Sequence, residues 1–168
     1  MMKLVAVGNR YMKDDGIAIE VAEILEDRLT DLNLEIIIGE TDSQNCFYLL
    51  NKDDFVFILD ALCIGTEPGS IHIFNLEEAI TQPSGSFMPH DMSIIELMKL
   101  YGSKFKGYII GIEISEIGFG GKLSPVLMEK LPQICSEIES IIKRVTSSLS
   151  LGNPPFPFDD TSCLSTLP

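Results

Sequence analysis

The chain has 168 residues, 45% hydrophobic and 22% charged, with 12 Lys and Arg against 25 Asp and Glu. That length fits a single domain able to fold without a disulfide or structural metal. A net charge of −13 argues against the basic face that nucleic acid or anionic lipid requires.

Residues 3–8 form an apolar run that enters a Gly8-Asn9 turn, which predicts a first strand buried on both faces. Ile17, Val21, Ile24 and Leu25 then recur at helical spacing, with Glu20, Glu23, Asp27 and Arg28 between them. Asp14 and Asp15 stand where this helix begins, beside its free amides and positive dipole end. A second strand is expected over 34–38, stopping at Gly39, and a third over 55–60, ending in Asp60. A fourth, over 71–74, is introduced by Pro68-Gly69. Residues 81–89 are a turn-rich loop, followed by a helical stripe of Ile94, Ile95 and Met98. Residues 108–112 make a fifth strand. Ser124-Pro125 supplies an N-cap and an N1 proline for a last helix carried by Leu127, Leu131, Ile134, Ile138, Ile141, Ile142 and Val145. Pro132 is expected to kink or restart it. From Thr146 the composition turns to Ser, Pro and Gly, dividing the chain into a domain over 1–145 and a tail over 146–168, with Phe156 and Phe158 as side chains able to pack it.

The four cysteines, Cys46, Cys63, Cys135 and Cys163, contain no C-x-x-C pair, so neither a zinc ribbon nor a redox dithiol is indicated. Cys46 and Cys63 suit small buried hydrophobes. With no signal-peptide pattern and no apolar run near the ~18–20 residues of a membrane helix, a cytoplasmic protein with reduced thiols is expected.

Strands alternating with helices imply an α/β fold with a largely parallel sheet covered on both faces. Ligands bind such sheets outside the carboxyl ends of the strands, and Asp15, Asp60 and His90 are all predicted at that edge. The phosphate-binding, zinc-protease and serine-hydrolase motifs are missing, and the first turn lacks dinucleotide-binding glycines. Each remaining candidate has two readings. Asp60 is either a strand-end carboxylate satisfied by turn amides or a desolvated base or metal ligand. One of Asp14 and Asp15 caps the helix while the other points across the crevice. His90 is a surface-loop imidazole or, with two carboxylates nearby, part of a site for a first-row divalent ion. His72, between Ile71 and Ile73, is expected to be solvated. Gly118-Phe119-Gly120-Gly121 is either a flexible connection or a place where backbone approaches closely.

In order and spacing, Gly8-Asn9, Asp14-Asp15-Gly16, Asp60-Ala61, Pro68-Gly69 and His90 resemble the nickel–iron hydrogenase maturation endopeptidases. The likeness runs over about 4–145. It looks closest to the branch acting on formate-hydrogenlyase-type hydrogenases, through Met88-Pro89-His90-Asp91-Met92 and Gly111-Ile112-Glu113. The resemblance implies a three-layer α/β/α sandwich with a five-stranded, mostly parallel sheet and one antiparallel strand. It implies removal of a C-terminal extension from a hydrogenase large-subunit precursor after nickel insertion. Asp15, Asp60 and His90 would be the nickel-contacting and catalytic residues. The nickel would be supplied by the substrate, with no permanent cofactor, and Gly39 and Thr41 would hold the substrate peptide. Ala18, Glu40 and Ile114 depart from the family pattern. Two other functions share these residues: a non-enzymatic metal-binding scaffold for hydrogenase maturation, and an unrelated small α/β hydrolase.

Overall fold

The computed structural model describes residues 1–81 and 94–152. Five strands, β1 (Met2–Val7), β2 (Leu34–Glu40), β3 (Phe55–Leu62), β4 (Ile71–Asn75) and β5 (Lys106–Glu113), form one sheet in the order β2-β1-β3-β5-β4. The first four in that order run parallel, and β4 is antiparallel to β5. Helices α1 (Ile17–Arg28) and α5 (Pro125–Ser150) cover one face; α2 (Ser43–Tyr48), α3 (Leu76–Thr81) and α4 (Ile94–Leu100) cover the other.

The unbroken apolar runs follow from this double cover. In β1, Leu4 and Ala6 pack toward α1 and α5 while Val5 and Val7 pack the opposite way. No face is left for polar alternation. The same division in β3 puts Phe57 and Leu59 on the first side and Val56 and Ile58 on the second. Asp60 shares the second side by strand periodicity.

Three features differ from the sequence expectation. β3 runs on to Leu62, so Asp60 lies inside the strand, paired in register with Gly111 of β5, rather than at its end. α2 and α3 lie where the sequence predicts no element; six residues each are too few to display a helical stripe. α5 passes through Pro132 as one helix and continues to Ser150, past the point where the tail was expected to begin. Pro132 and Met128, whose carbonyl loses its partner, are both exposed, so water can meet that carbonyl. Beyond Val145 the helix continues, with Thr146 and Ser148 still buried and the serine hydroxyls turned back onto it. Ser147 donates to the Lys143 carbonyl at 2.8 Å, Ser148 to Arg144 at 3.1 Å and Ser150 to Thr146 at 3.0 Å.

Candidate active site

The carboxyl-end edge of the sheet is built around the first loop. Gly8 has φ +146°, and a Cβ there would lie 2.2 Å from the Asp15 carbonyl oxygen. Only glycine lets the chain leave β1 this close to Asp15. The Asn9 amide donates to that carbonyl at 3.3 Å, and the Asn9 side-chain oxygen accepts from the Tyr11 amide at 2.9 Å. This folded loop delivers a single 3-10 turn, Lys13–Gly16, onto the rim of the sheet.

The two adjacent aspartates then diverge. Asp14 is fully buried and accepts three backbone N–H groups: Ser115 at 3.1 Å, Glu116 at 2.8 Å and Ser124 at 2.6 Å. It ties down the β5–α5 loop and does not cap α1, whose N-terminus has no side-chain cap. Asp15 is half-buried, and its charge acts on Asp60. The expectation that one of the pair caps the helix is therefore corrected.

Asp60 accepts from the Ala61 amide at 2.8 Å. Its carboxyl is raised from an ordinary 3.8 to about 7, first by burial and then by the Asp15 charge, with the Ala61 N–H opposing both. Near neutral pH it is thus divided between acid and base forms. A carboxylate poised this way can accept a proton from water or return one to a leaving group.

A second buried carboxylate shapes the opposite wall. Glu113, at the end of β5, accepts from Ile64 at 3.1 Å, Gly65 at 2.8 Å and Thr66 at 3.2 Å, fixing the β3–β4 loop. The sequence contains Glu113 in a recognisable motif, but its partners are 47 to 49 positions away. Nothing local reveals the role.

His90 lies outside the described residues, within the 82–93 connection between α3 and α4, and those two helices pack on the sheet face that Asp60 shares. His72 is half-buried rather than fully solvated, and its Nε2 lies 2.8 Å from the Thr66 hydroxyl. It pairs in register with Gly111, the residue that also pairs with Asp60. Gly39 and Thr41 sit at the end of β2, the first partly buried and the second exposed. A Cβ on Gly39 would lie 2.0 Å from Cys46 Sγ, so packing of α2 by itself demands glycine there. Cys46 is buried as expected, but Cys63 is exposed. Glu40, at φ +49°, accepts the Gly8 amide through its carbonyl at 3.0 Å and Arg10 Nε through its carboxylate at 2.8 Å. Arg10 reaches on to Glu23 at 2.7 Å, and these two carboxylates, Glu23 foremost, lift its guanidinium further above its usual range. The glycine-rich segment is a close approach: the Gly120 amide donates to the Tyr11 carbonyl at 2.9 Å, and the Lys13 amide to Gly120 at 2.8 Å.

Among the described residues no group of three His, Cys, Asp or Glu side chains could hold a metal. The described part of the site contributes Asp15 and Asp60. Two hard oxygen donors suit part of a divalent-ion shell and leave positions to be filled from elsewhere.

Comparison with known proteins agrees with this fold. A family model described as HycI, hydrogenase maturation protease, matches residues 19–141. That span includes Asp60 and His90 and begins just after Asp15. A Methanocaldococcus jannaschii protein, named provisionally as a hydrogenase maturation protease, is 27% identical over 149 residues, covering 83% of this chain and 92% of its own. The [NiFe] hydrogenase maturation protease HybD from Thermococcus kodakarensis superposes with TM-score 0.65 at 25% identity, over 84% of this chain and 99% of that one. The hydrogenase maturating endopeptidase HybD from E. coli shares the fold, with TM-score 0.67 at 22% identity over 96% and 100% of the two chains. An α/β sandwich whose mixed sheet carries two carboxylates at its ligand edge is thus joined to a family match across most of the sequence, and the chain belongs to the hydrogenase maturation protease family.

Proposed function

We propose that this peptidase removes the C-terminal extension of a nickel–iron hydrogenase large-subunit precursor once nickel has been inserted. The observation that carries the reading is the packing of the turn bearing Asp15 against β3, the strand bearing Asp60, at the sheet's ligand edge, where burial first and the Asp15 charge in addition raise the Asp60 carboxyl. Two carboxylates that repel one another are stabilised by a shared cation. On this reading the cation is the precursor's own nickel, which Asp15, Asp60 and His90 grip as part of the substrate. Holding the adjacent peptide bond in place by that grip can be worth ~7–11 kcal/mol of the barrier. Asp60 serves as the general base toward the attacking water. Gly39 and Thr41 line the approach of the substrate peptide at the same edge.

The proposed site of action is the cytoplasm, supported by the three free cysteines among the described residues; among the same residues no helix is long and apolar enough to cross a membrane. The family match sets aside an unrelated α/β hydrolase. Incubating the protein with nickel-loaded and nickel-free precursor, and following the size shift on a gel, tests the proposal. Only the loaded form is expected to shorten. Equal cleavage of both forms overturns gating by nickel; binding without cleavage of the loaded form favours a scaffold.

A further inference from the structure

The opposite edge of the sheet carries a feature that the peptidase site does not use. Where α2 runs into β3 and α4 runs into β5, the side chains of Phe47, Tyr48, Tyr101 and Phe105 wall a groove of about 580 Å³. Phe47 stacks on Tyr101 at 5.1 Å between ring centroids and meets Phe105 edge-on at 6.4 Å. Tyr48 and Tyr101 are nonetheless 60% and 57% exposed, an apolar surface of the kind that marks a contact site. Lys52 and Lys104 also line it, and among the described residues neither has an ion-pair partner. Two uncommitted lysines beside open aromatic faces are conspicuous in a chain of net charge −13.

We propose that this groove is the docking site of the chain's own segment Phe156-Pro157-Phe158-Asp159-Asp160. That segment offers two rings for the aromatic walls and two carboxylates for the two lysines. Its root lies at the same end of the sheet. The last turns of α5 touch the start of β1, where the Thr146 hydroxyl contacts Met2 Sδ at 3.6 Å. The Met1 amino group pairs with Asp54 at 3.2 Å, and the Asn51 amide donates to the Asp54 carboxylate at 2.8 Å. A continuous line of contacts therefore joins the end of α5 to the loop bearing Lys52. The description of the chain ends at Gly152, and residues 153–168 lie beyond it. Three residues separate Gly152 from Phe156, and the four steps between them can span roughly 13 Å when extended. Because the linkage is intramolecular, its effective concentration makes even modest contacts sufficient. The proposal is independent of the peptidase reading, since the groove lies at the other end of the sheet from Asp60.

A spin label on Cys163 of the full chain tests it. Cys63→Ser removes the exposed thiol among the described residues, and Cys46 and Cys135 are buried. At dilute concentration the nitroxide is expected to broaden the amide signals of residues 47–52 and 100–105. Phe156→Ser with Phe158→Ser should abolish that broadening. Lys52→Glu with Lys104→Glu should also abolish it, and adding Asp159→Lys with Asp160→Lys should restore it. Broadening that is missing, falls elsewhere, or survives both sets of substitutions overturns the proposal. So does broadening that also appears when spin-labelled chains are mixed with isotope-labelled ones, which would make a second copy the occupant.

Discussion

Asp14 and Asp60 are carboxylates at the same edge of the sheet, and their surroundings treat them oppositely. Asp14 is given three backbone donors and nothing is asked of it but to hold a loop. Asp60 receives one short hydrogen bond from Ala61 and is otherwise desolvated and faced by a like charge. Because its folded value of about 7 lies above its ordinary 3.8, folding favours the protonated form. That contribution to stability is complete below about pH 4 and is lost as pH rises toward 7. Asp60→Asn should therefore gain on the parent, by on the order of 1–3 kcal/mol between pH 4.5 and 8 after discounting for solvent, as urea unfolding would read. A difference that stays constant with pH would show that burial does not perturb this group. The same substitution should abolish precursor cleavage while the fold persists. Asp14→Ala strands three amides and should cost about 2–4 kcal/mol, measurable in the same titration. Asp14 could not be distinguished from Asp15 in the sequence because its partners lie 101 to 110 positions away.

Among the elements, legibility followed length and periodicity. The strands announced themselves as apolar runs because both of their faces are covered, and α1 and α5 because a stripe recurs over three turns or more. α2 and α3 are too brief to repeat, and the extension of α5 through serines accompanies burial of Thr146 and Ser148, which composition cannot show. That one strand runs antiparallel is implied by the family resemblance alone, which does not say which strand; the residues of β4 do not reveal that it is this one. Gly39 shows how an element can explain a residue expected to have another task. α2 brings Cys46 Sγ to 2.0 Å from where a Cβ would sit, so Gly39→Ala should destabilise by ~1–3 kcal/mol through overpacking. Cys46→Ala in the same chain should recover much of that loss in thermal melts. If the double variant is no better than the single one, the glycine is required for something other than room beside α2.

For the whole molecule, the strand order places β1, β3 and β5 inside and leaves β2 and β4 at the edges. β4 has no fully buried residue and β2 has one, whereas β5 is buried after its first. Hydrogen exchange should accordingly be slowest in β1, β3 and β5 and faster in the two edge strands; equal protection throughout would mean that the sheet opens only as a unit. The region where β5 ends has a further consequence. Glu113 fastens the β3–β4 loop and Asp14, on the turn after β1, fastens the segment that follows β5, so two banks of the crevice are moored where that strand ends. A mould set in advance cannot reshape itself around an arriving polypeptide. The ordering cost of binding therefore falls on the guest, while the crevice, already set, pays little of its own.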